Sequence, residues 1–284
     1  MKLTLGTAQF GLDYGLTNKT GQVSAIEAKK IVKMCEKAGI FSYDTANTYG
    51  DSEKILGLLL GPEAKLTTKL RPNLENNEVR GWIHHSLNKS LNALKVKNID
   101  TLMSHRSSDI LRSPPNLINS IISDLKYQGI IGSFGASLYQ IEEVLPLIEN
   151  YNVDVIQFPL SLMDQRFLKA GILQKLKGQG CEIEVRSIFL QGLLLLKASE
   201  IPQYFSKWKE LWETFEKWQL KYNYTALEAC ITFANSFELI DRIVIGVQSS
   251  QQFQEVLNAF KKEIPATFPN IHSPDQNLTI PSNW

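Results

Sequence analysis

The chain has 284 residues, 43% hydrophobic and 21% charged, enough apolar material for one large core with no compositional break to divide it. Thirty basic residues against 29 acidic leave a net charge of +1, so no bulk field draws it to nucleic acid or to an anionic membrane. The opening carries no signal-peptide-like apolar stretch and no segment approaches the roughly 20 apolar residues of a membrane span, so a cytoplasmic location is expected.

In chain order, short β-prone runs alternate with longer segments of helical periodicity. The runs are Lys2–Leu5, Phe41–Tyr43, Leu66–Thr68, Ile99–Met103, Ser133–Ala136, Val153–Phe158, Glu182–Ile188 and Arg242–Ile245. The first helix opens on Ser24 and Glu27 as a capping box, presents Ala28, Ile31, Val32 and Cys35 on one face, and stops near Gly39. A second stripe is Val79, Trp82, Ile83, Leu87, Leu91 and Leu94; a later one is Ile141, Val144, Leu145 and Ile148; the last is Phe253, Val256, Leu257 and Phe260. Eight strand-then-helix units predict an α/β fold, a closed (β/α)8 TIM barrel in one domain, in preference to a doubly wound sheet. Residues 1–264 form the barrel in this reading. Residues 265–284, rich in Pro, Asn and Ser, form a tail that packs under loops or closes over the barrel mouth.

Four residues stand at or just beyond the ends of these runs: Asp44, Tyr49, Lys69 and His105. In a parallel barrel the C-terminal strand ends and the following loops converge on one face, so residues distant in sequence meet there. Together they are the parts needed to move a proton onto a carbonyl oxygen. A phenol is a weak acid at neutral pH, and a nearby ammonium, Lys69, would lower the Tyr49 pKa. Asp44 would hold that ammonium charged and oriented, and the His105 imidazole would hydrogen-bond the carbonyl oxygen. The spacing predicts a carbonyl reductase acting on a small-molecule substrate.

Other features carry less. Cys35, Cys181 and Cys230 are an odd number at wide intervals and read as buried thiols. No cluster of His, Cys or carboxylates has metal-site spacing, and no metal is expected. His84 and His85 fall toward solvent or a rim. Trp208, Trp212, Phe215 and Trp218 recur at helical spacing and read as packing in preference to a sugar platform. Ser137 and Ser187 lack a nucleophile elbow, against a hydrolase. A Schiff-base lyase using Lys69 would lack a phosphate-binding glycine loop before the last helix.

The chain resembles the aldo-keto reductase family, of the bacterial kind with compact loops. The resemblance is carried by the segment Leu5 to Gly11, by Tyr43-Asp44-Thr45-Ala46-Asn47-Thr48-Tyr49-Gly50-Asp51-Ser52-Glu53 with Leu56-Gly57, by Thr68-Lys69, and by Ser104-His105-Arg106. It implies NAD(P)H-dependent reduction of an aldehyde or ketone, with a nicotinamide cofactor extended across the barrel mouth and no Rossmann domain. By the same resemblance Ser137 and Gln157 lie near the nicotinamide carboxamide, with Thr7 and Asp44 in the cofactor-binding set. Ser187 and the loop through Phe189 wrap the pyrophosphate, and Gly246, Gln248 and Glu255 hold the adenosine end, where a helix N-terminus favours phosphate.

The chain departs from the family pattern at four places. Leu138 stands where an asparagine usually follows the serine, and Val256 where an asparagine follows the adenine-contacting glutamate. Arg186 stands where an aromatic ring usually stacks on the nicotinamide; its guanidinium is planar but charged. Gln248, Ser249 and Ser250 stand where a basic residue often pairs the 2′-phosphate. The family implies NADP(H); this last departure makes NAD(H) the competing expectation. The reading of a different class is a nicotinamide-binding regulatory or scaffold protein with weak or no turnover.

Overall fold

The computed structural model describes residues 1–73 and 78–284. Eight strands, β1 (Leu3–Gly6), β2 (Ser42–Asp44), β3 (Lys65–Leu70), β4 (Ile99–Ser104), β5 (Ile131–Ser137), β6 (Val155–Pro159), β7 (Glu182–Arg186) and β8 (Arg242–Gly246), pair in that order into a closed barrel. Every pairing is parallel, and β8 closes on β1 with Thr4 opposite Val244 and Gly6 opposite Gly246. A closed parallel barrel has no free edge, so each strand return is made by a helical crossover on the outside.

The crossovers carry α1 (Ala25–Lys37), α2 (Ser52–Leu59), α3 (Val79–Leu94), α4 (Pro115–Tyr127), α5 (Val144–Asn150), α6 (Ile172–Gly178) and, together between β7 and β8, α7 (Lys209–Tyr222) and α8 (Ala226–Asn235); α9 (Ser250–Ala259) follows β8. The α1 stripe buries Ala28, Ile31, Val32 and Cys35 as its periodicity requires. Its capping differs from expectation. Ser24 Oγ accepts the Glu27 N–H, but the Glu27 carboxylate does not return to the cap; it reaches α9 and accepts from Ser250 N and Oγ. In α5 Val144 is buried and Ile141 and Ile148 pack against the core as the stripe requires, but Leu145 is exposed and Leu147 is buried in its place. The seventh run ends at Arg186 and not Ile188, because Ser187 turns to φ 60°.

Register fixes what the barrel holds inside, since partners in a parallel pairing share a face. Asp44 lies opposite Thr67, Lys69 opposite Met103, Ser137 opposite Gln157, and Gln157 opposite Glu184. These inward positions alternate with Tyr43, Leu66, Phe134, Ile156, Ile183 and Ile243, which pack outward in the main apolar core. The interior therefore carries a polar layer directly below the mouth.

The aromatic set on and before α7 is packing: Trp212 and Phe215 are buried, and Trp218 stacks with Phe215 and Phe268. The last segment returns along the same side. Phe268 meets Phe233 edge to face, Trp284 meets Phe205, and Ser273 N–H donates to Met163 O. Among the described residues no helix is long and apolar enough to cross a membrane.

Candidate active site

The loop from Asp44 to Glu53 divides its residues between chemistry and scaffolding. Thr7 N–H and Oγ1 both donate to Asp44 O at 2.9 Å, and Ser52 Oγ donates to Thr7 O at 2.8 Å. Thr68 Oγ1 donates to Glu53 Oε1 at 2.6 Å. Two glycines let this loop lie on the one after β1: a Cβ on Gly11 would stand 1.8 Å from Tyr49 O, and one on Gly50, at φ 53°, would stand 2.2 Å from Gly11 O. Their contact sets where the Tyr49 backbone can be.

Asp44 from β2 and Lys69 from β3 form an ion pair that is almost wholly enclosed, with side chains 4% and 2% exposed. Lys69 Nζ donates to both carboxylate oxygens at 2.5 Å and to Thr45 O at 3.3 Å. Gln157 Nε2 donates to Asp44 Oδ2 at 2.9 Å and to Glu184 Oε2 at 3.0 Å, so the carboxylate is satisfied from two sides. Lys69 Nζ lies 5.5 Å from the Tyr49 ring centre. His105 meets Tyr49 edge to face at 5.8 Å between ring centres. The four sequence-derived catalytic candidates thus come together at the mouth.

Their electrostatics differ from the expectation in one respect. Burial pushes the Tyr49 hydroxyl well above its ordinary pKa, Asp44 adds to that, and Arg186 is the cation that opposes it. The phenol is accordingly a protonated donor at neutral pH and not a phenolate. Burial, with help from Lys69 and Arg186, pulls His105 down to about 3, so its imidazole is neutral. Thr48 Oγ1 lies 3.2 Å from His105 Nδ1; with the hydroxyl donating there, the ring proton sits on Nε2, free to donate to an incoming oxygen.

A cavity of about 490 Å³ opens beside this group. Asp44, Tyr49 and Arg186 line one part of it, Thr7, Ser187 and Phe189 its wall, and Gly246, Gln248 and Glu255 the part at the start of α9. Ser137 and Gln157, also expected near the cofactor, are not on the wall. They lie below it, and Arg186 Nε donates to Ser137 Oγ at 3.3 Å from above. Ser187, Leu190 and Gln191 hold the wall with left-handed backbone at φ 60°, 49° and 55°. Non-glycine residues keep that conformation where the surroundings enforce it, commonly at ligand clamps. The cavity suits an extended dinucleotide: Gln9 lines it with a buried Oε1 that has no partner among the described residues, an acceptor that a ribose hydroxyl can satisfy. None of residues 265–284 lines this cavity.

Glu184 is a member of the site that the sequence reading passed over. Its alternation with Ile183 and Val185 resembles an exposed face, yet it shares the inward side with Arg186. Burial and the neighbouring Asp44 charge raise its pKa from 4.5 to about 7. The folded carboxyl therefore binds a proton that the unfolded one releases, and its contribution to stability falls as pH rises from 4.5 to about 7. Denaturant midpoints across that window should fall less steeply for Glu184→Gln than for the wild type; parallel curves would refute the assignment.

The closed eight-stranded parallel barrel, matched by an aldo/keto reductase family model, supports oxidoreductase activity on carbonyls. The chain belongs to the aldo/keto reductase family, whose model matches residues 2–270. Among solved structures it resembles the aldo-keto reductase AKR11C1 from Bacillus halodurans, in its holo form. The TM-score is 0.77 at 19% identity, over 94% of this chain and 88% of that one. It also resembles PA4992, a candidate aldo-keto reductase from Pseudomonas aeruginosa, with a TM-score of 0.67 at 18% identity over 91% and 89% of the two chains. At such identities the likeness is one of fold. A search of curated protein sequences found no match.

Proposed function

We propose that the protein reduces an aldehyde or ketone to an alcohol with a reduced nicotinamide cofactor, and that Tyr49 is the proton donor. The observation that carries this reading is the enclosed Lys69–Asp44 pair beside the Tyr49 ring, with a neutral His105 facing it. When bound, the cofactor supplies hydride to the carbonyl carbon. Tyr49 gives its hydroxyl proton to the carbonyl oxygen as charge develops there, and His105 orients that oxygen by a hydrogen bond from Nε2. Lys69 sits close enough to stabilise the phenolate left behind, and Asp44 and Gln157 keep the ammonium in place.

Thr7, Ser187, Phe189, Gly246, Gln248 and Glu255 are the residues that would hold the extended cofactor, with Ser137 and Gln157 supporting its inner end through Arg186 and Asp44. The family pattern favours NADP(H). The chain's own residues favour NAD(H), because the Glu27 carboxylate already occupies Ser250 N–H and Oγ at 2.6 Å each. Those bonds, with the Lys30 ammonium 3.1 Å away, hold Glu27 at about 2, so it is charged at neutral pH where a 2′-phosphate would approach the start of α9. Fluorescence titration with both reduced cofactors tests the reading. NADH should bind more tightly than NADPH, and Glu27→Gln should narrow the gap by about fivefold, the size of an exposed charge interaction of about 1 kcal/mol. Failure to bind either cofactor would refute the enzyme.

A further inference from the structure

Two carboxylates share the side-chain amide of Gln157. Its Nε2 donates to Asp44 Oδ2 at 2.9 Å and to Glu184 Oε2 at 3.0 Å, while its Oε1 faces Ser137 Oγ at 3.5 Å. An amide nitrogen has two N–H groups, so each carboxylate takes one, and the carbonyl end points away from both. The bridge ties Glu184 on β7 to the ion pair that Asp44 on β2 makes with Lys69 on β3. Glu184 is 1% exposed and, like Gln157, lies below the cavity wall.

The charges facing Glu184 come from several strands. Asp44 is a like charge on the same amide. Arg242 of β8 lies 3.8 Å from Glu184 Oε1 but makes its closer pair with Glu182, and its Nη1 donates to Ser42 Oγ at 3.1 Å. Glu182 and Arg186 flank Glu184 on its own strand, while the facing positions of β1, β4 and β5 are the neutral Thr4, Met103 and Ser137. Burial and Asp44 outweigh Arg242 and Lys69, and the Glu184 carboxyl titrates at about 7. Tyr49 titrates well above its ordinary range and His105 at about 3, so neither changes charge near neutrality. Lys69 Nζ, 5.5 Å from the Tyr49 ring centre, supplies the field that receives the phenolate, and a second negative charge tied to the Asp44 side of the pair offsets that field.

We propose that Glu184 is a positioning residue for the proton step. Through the Gln157 amide it fixes the Asp44 carboxylate against Lys69, and its ionisation weakens the ammonium's hold on the Tyr49 phenolate, so reduction slows as the carboxyl loses its proton. This rests on the carbonyl-reductase reading above.

The test mixes the full chain, with reduced cofactor bound, rapidly with 4-nitrobenzaldehyde from mildly acid to mildly alkaline pH. A single turnover is followed, so that product release does not mask the step. The wild-type rate should fall roughly three- to tenfold with a midpoint of about 7, as one enclosed charge acting on another across a bridging amide requires. Glu184→Gln keeps an acceptor for Gln157 and carries no charge, so its rate should stay at the wild-type acid level throughout. Glu184→Ala has neither and should be slower than Glu184→Gln at every pH. Apparent affinity for the aldehyde should agree within about twofold among the three, because the residue acts on the chemical step and not on binding. In parallel, the Lys69 ε-carbon is followed by NMR in lysine-labelled protein, its signal assigned with Lys69→Arg. That signal should shift with the same midpoint in the wild type and stay in place in Glu184→Gln. Superimposable rate profiles for wild type and Glu184→Gln, equal rates for Glu184→Gln and Glu184→Ala, or a Lys69 signal that ignores Glu184 would each overturn the proposal. A Lys69 signal that titrates with Glu184 in a protein that turns over no aldehyde upholds the coupling and refutes the reductase reading instead.

Discussion

Replacing Tyr49 by phenylalanine should leave binding of the reduced cofactor within about twofold and lower kcat by roughly two to four orders of magnitude, the range in which general acid catalysis contributes. The size follows from the lack of a substitute donor. His105, pulled down to about 3, holds no ionisable proton to give at neutral pH, and its neutral N–H is far too weak an acid to replace a phenol. Lys69 is 2% exposed, and its ammonium is held by both oxygens of the Asp44 carboxylate. Phenylalanine keeps the edge-to-face contact with His105, so the ring position and the neighbouring wall should survive. Initial rates and fluorescence titration on the same preparation separate the chemical step from binding, and wild-type turnover by Tyr49→Phe would remove the residue from the mechanism.

Lys69→Met should be as damaging to turnover, and damaging to the fold as well. The substitution leaves the Asp44 carboxylate enclosed, with Gln157 and no cation, and breaking an enclosed pair from one side costs about 3–5 kcal/mol. Removing both charges in Lys69→Met with Asp44→Asn should recover much of that stability and none of the activity. Denaturant unfolding of the two variants beside their rates checks both halves. Equal stability of single and double variants would show that the pair is not the constraint described here. Recovery of activity in the double variant would show that the ammonium serves only to neutralise the Asp44 carboxylate.

Much of this was legible in the chain. Asp44, Lys69 and His105 each terminate a β-prone run, so the eightfold alternation alone places them on one rim, and the Asp44 to Glu53 segment brings Tyr49 beside them. Other features depend on closure of the sheet. Glu182-Ile183-Glu184 reads as an ordinary amphipathic strand until the polar side becomes the inside of a barrel, where Glu184 meets Gln157 and loses its charge near neutrality. The left-handed turn at Ser187 was hidden because no glycine marks it. Glu27 looked like a capping-box residue because Ser24 stands three positions before it; only tertiary packing brings Ser250 near enough to take the carboxylate. Leu145 and Leu147 fit the helical period almost equally well from Ile141 and Val144, and the docking of α5 on the barrel chose the second.

The most direct test of the central claim is transfer of label from a reduced nicotinamide cofactor deuterated at its donating position. Wild-type protein, supplied with an aldehyde, should place deuterium on the carbinol carbon of the alcohol, and Tyr49→Phe with the same bound cofactor should do so at least two orders of magnitude more slowly. Alcohol formed without label on carbon, or labelled equally fast by Tyr49→Phe, would contradict the account.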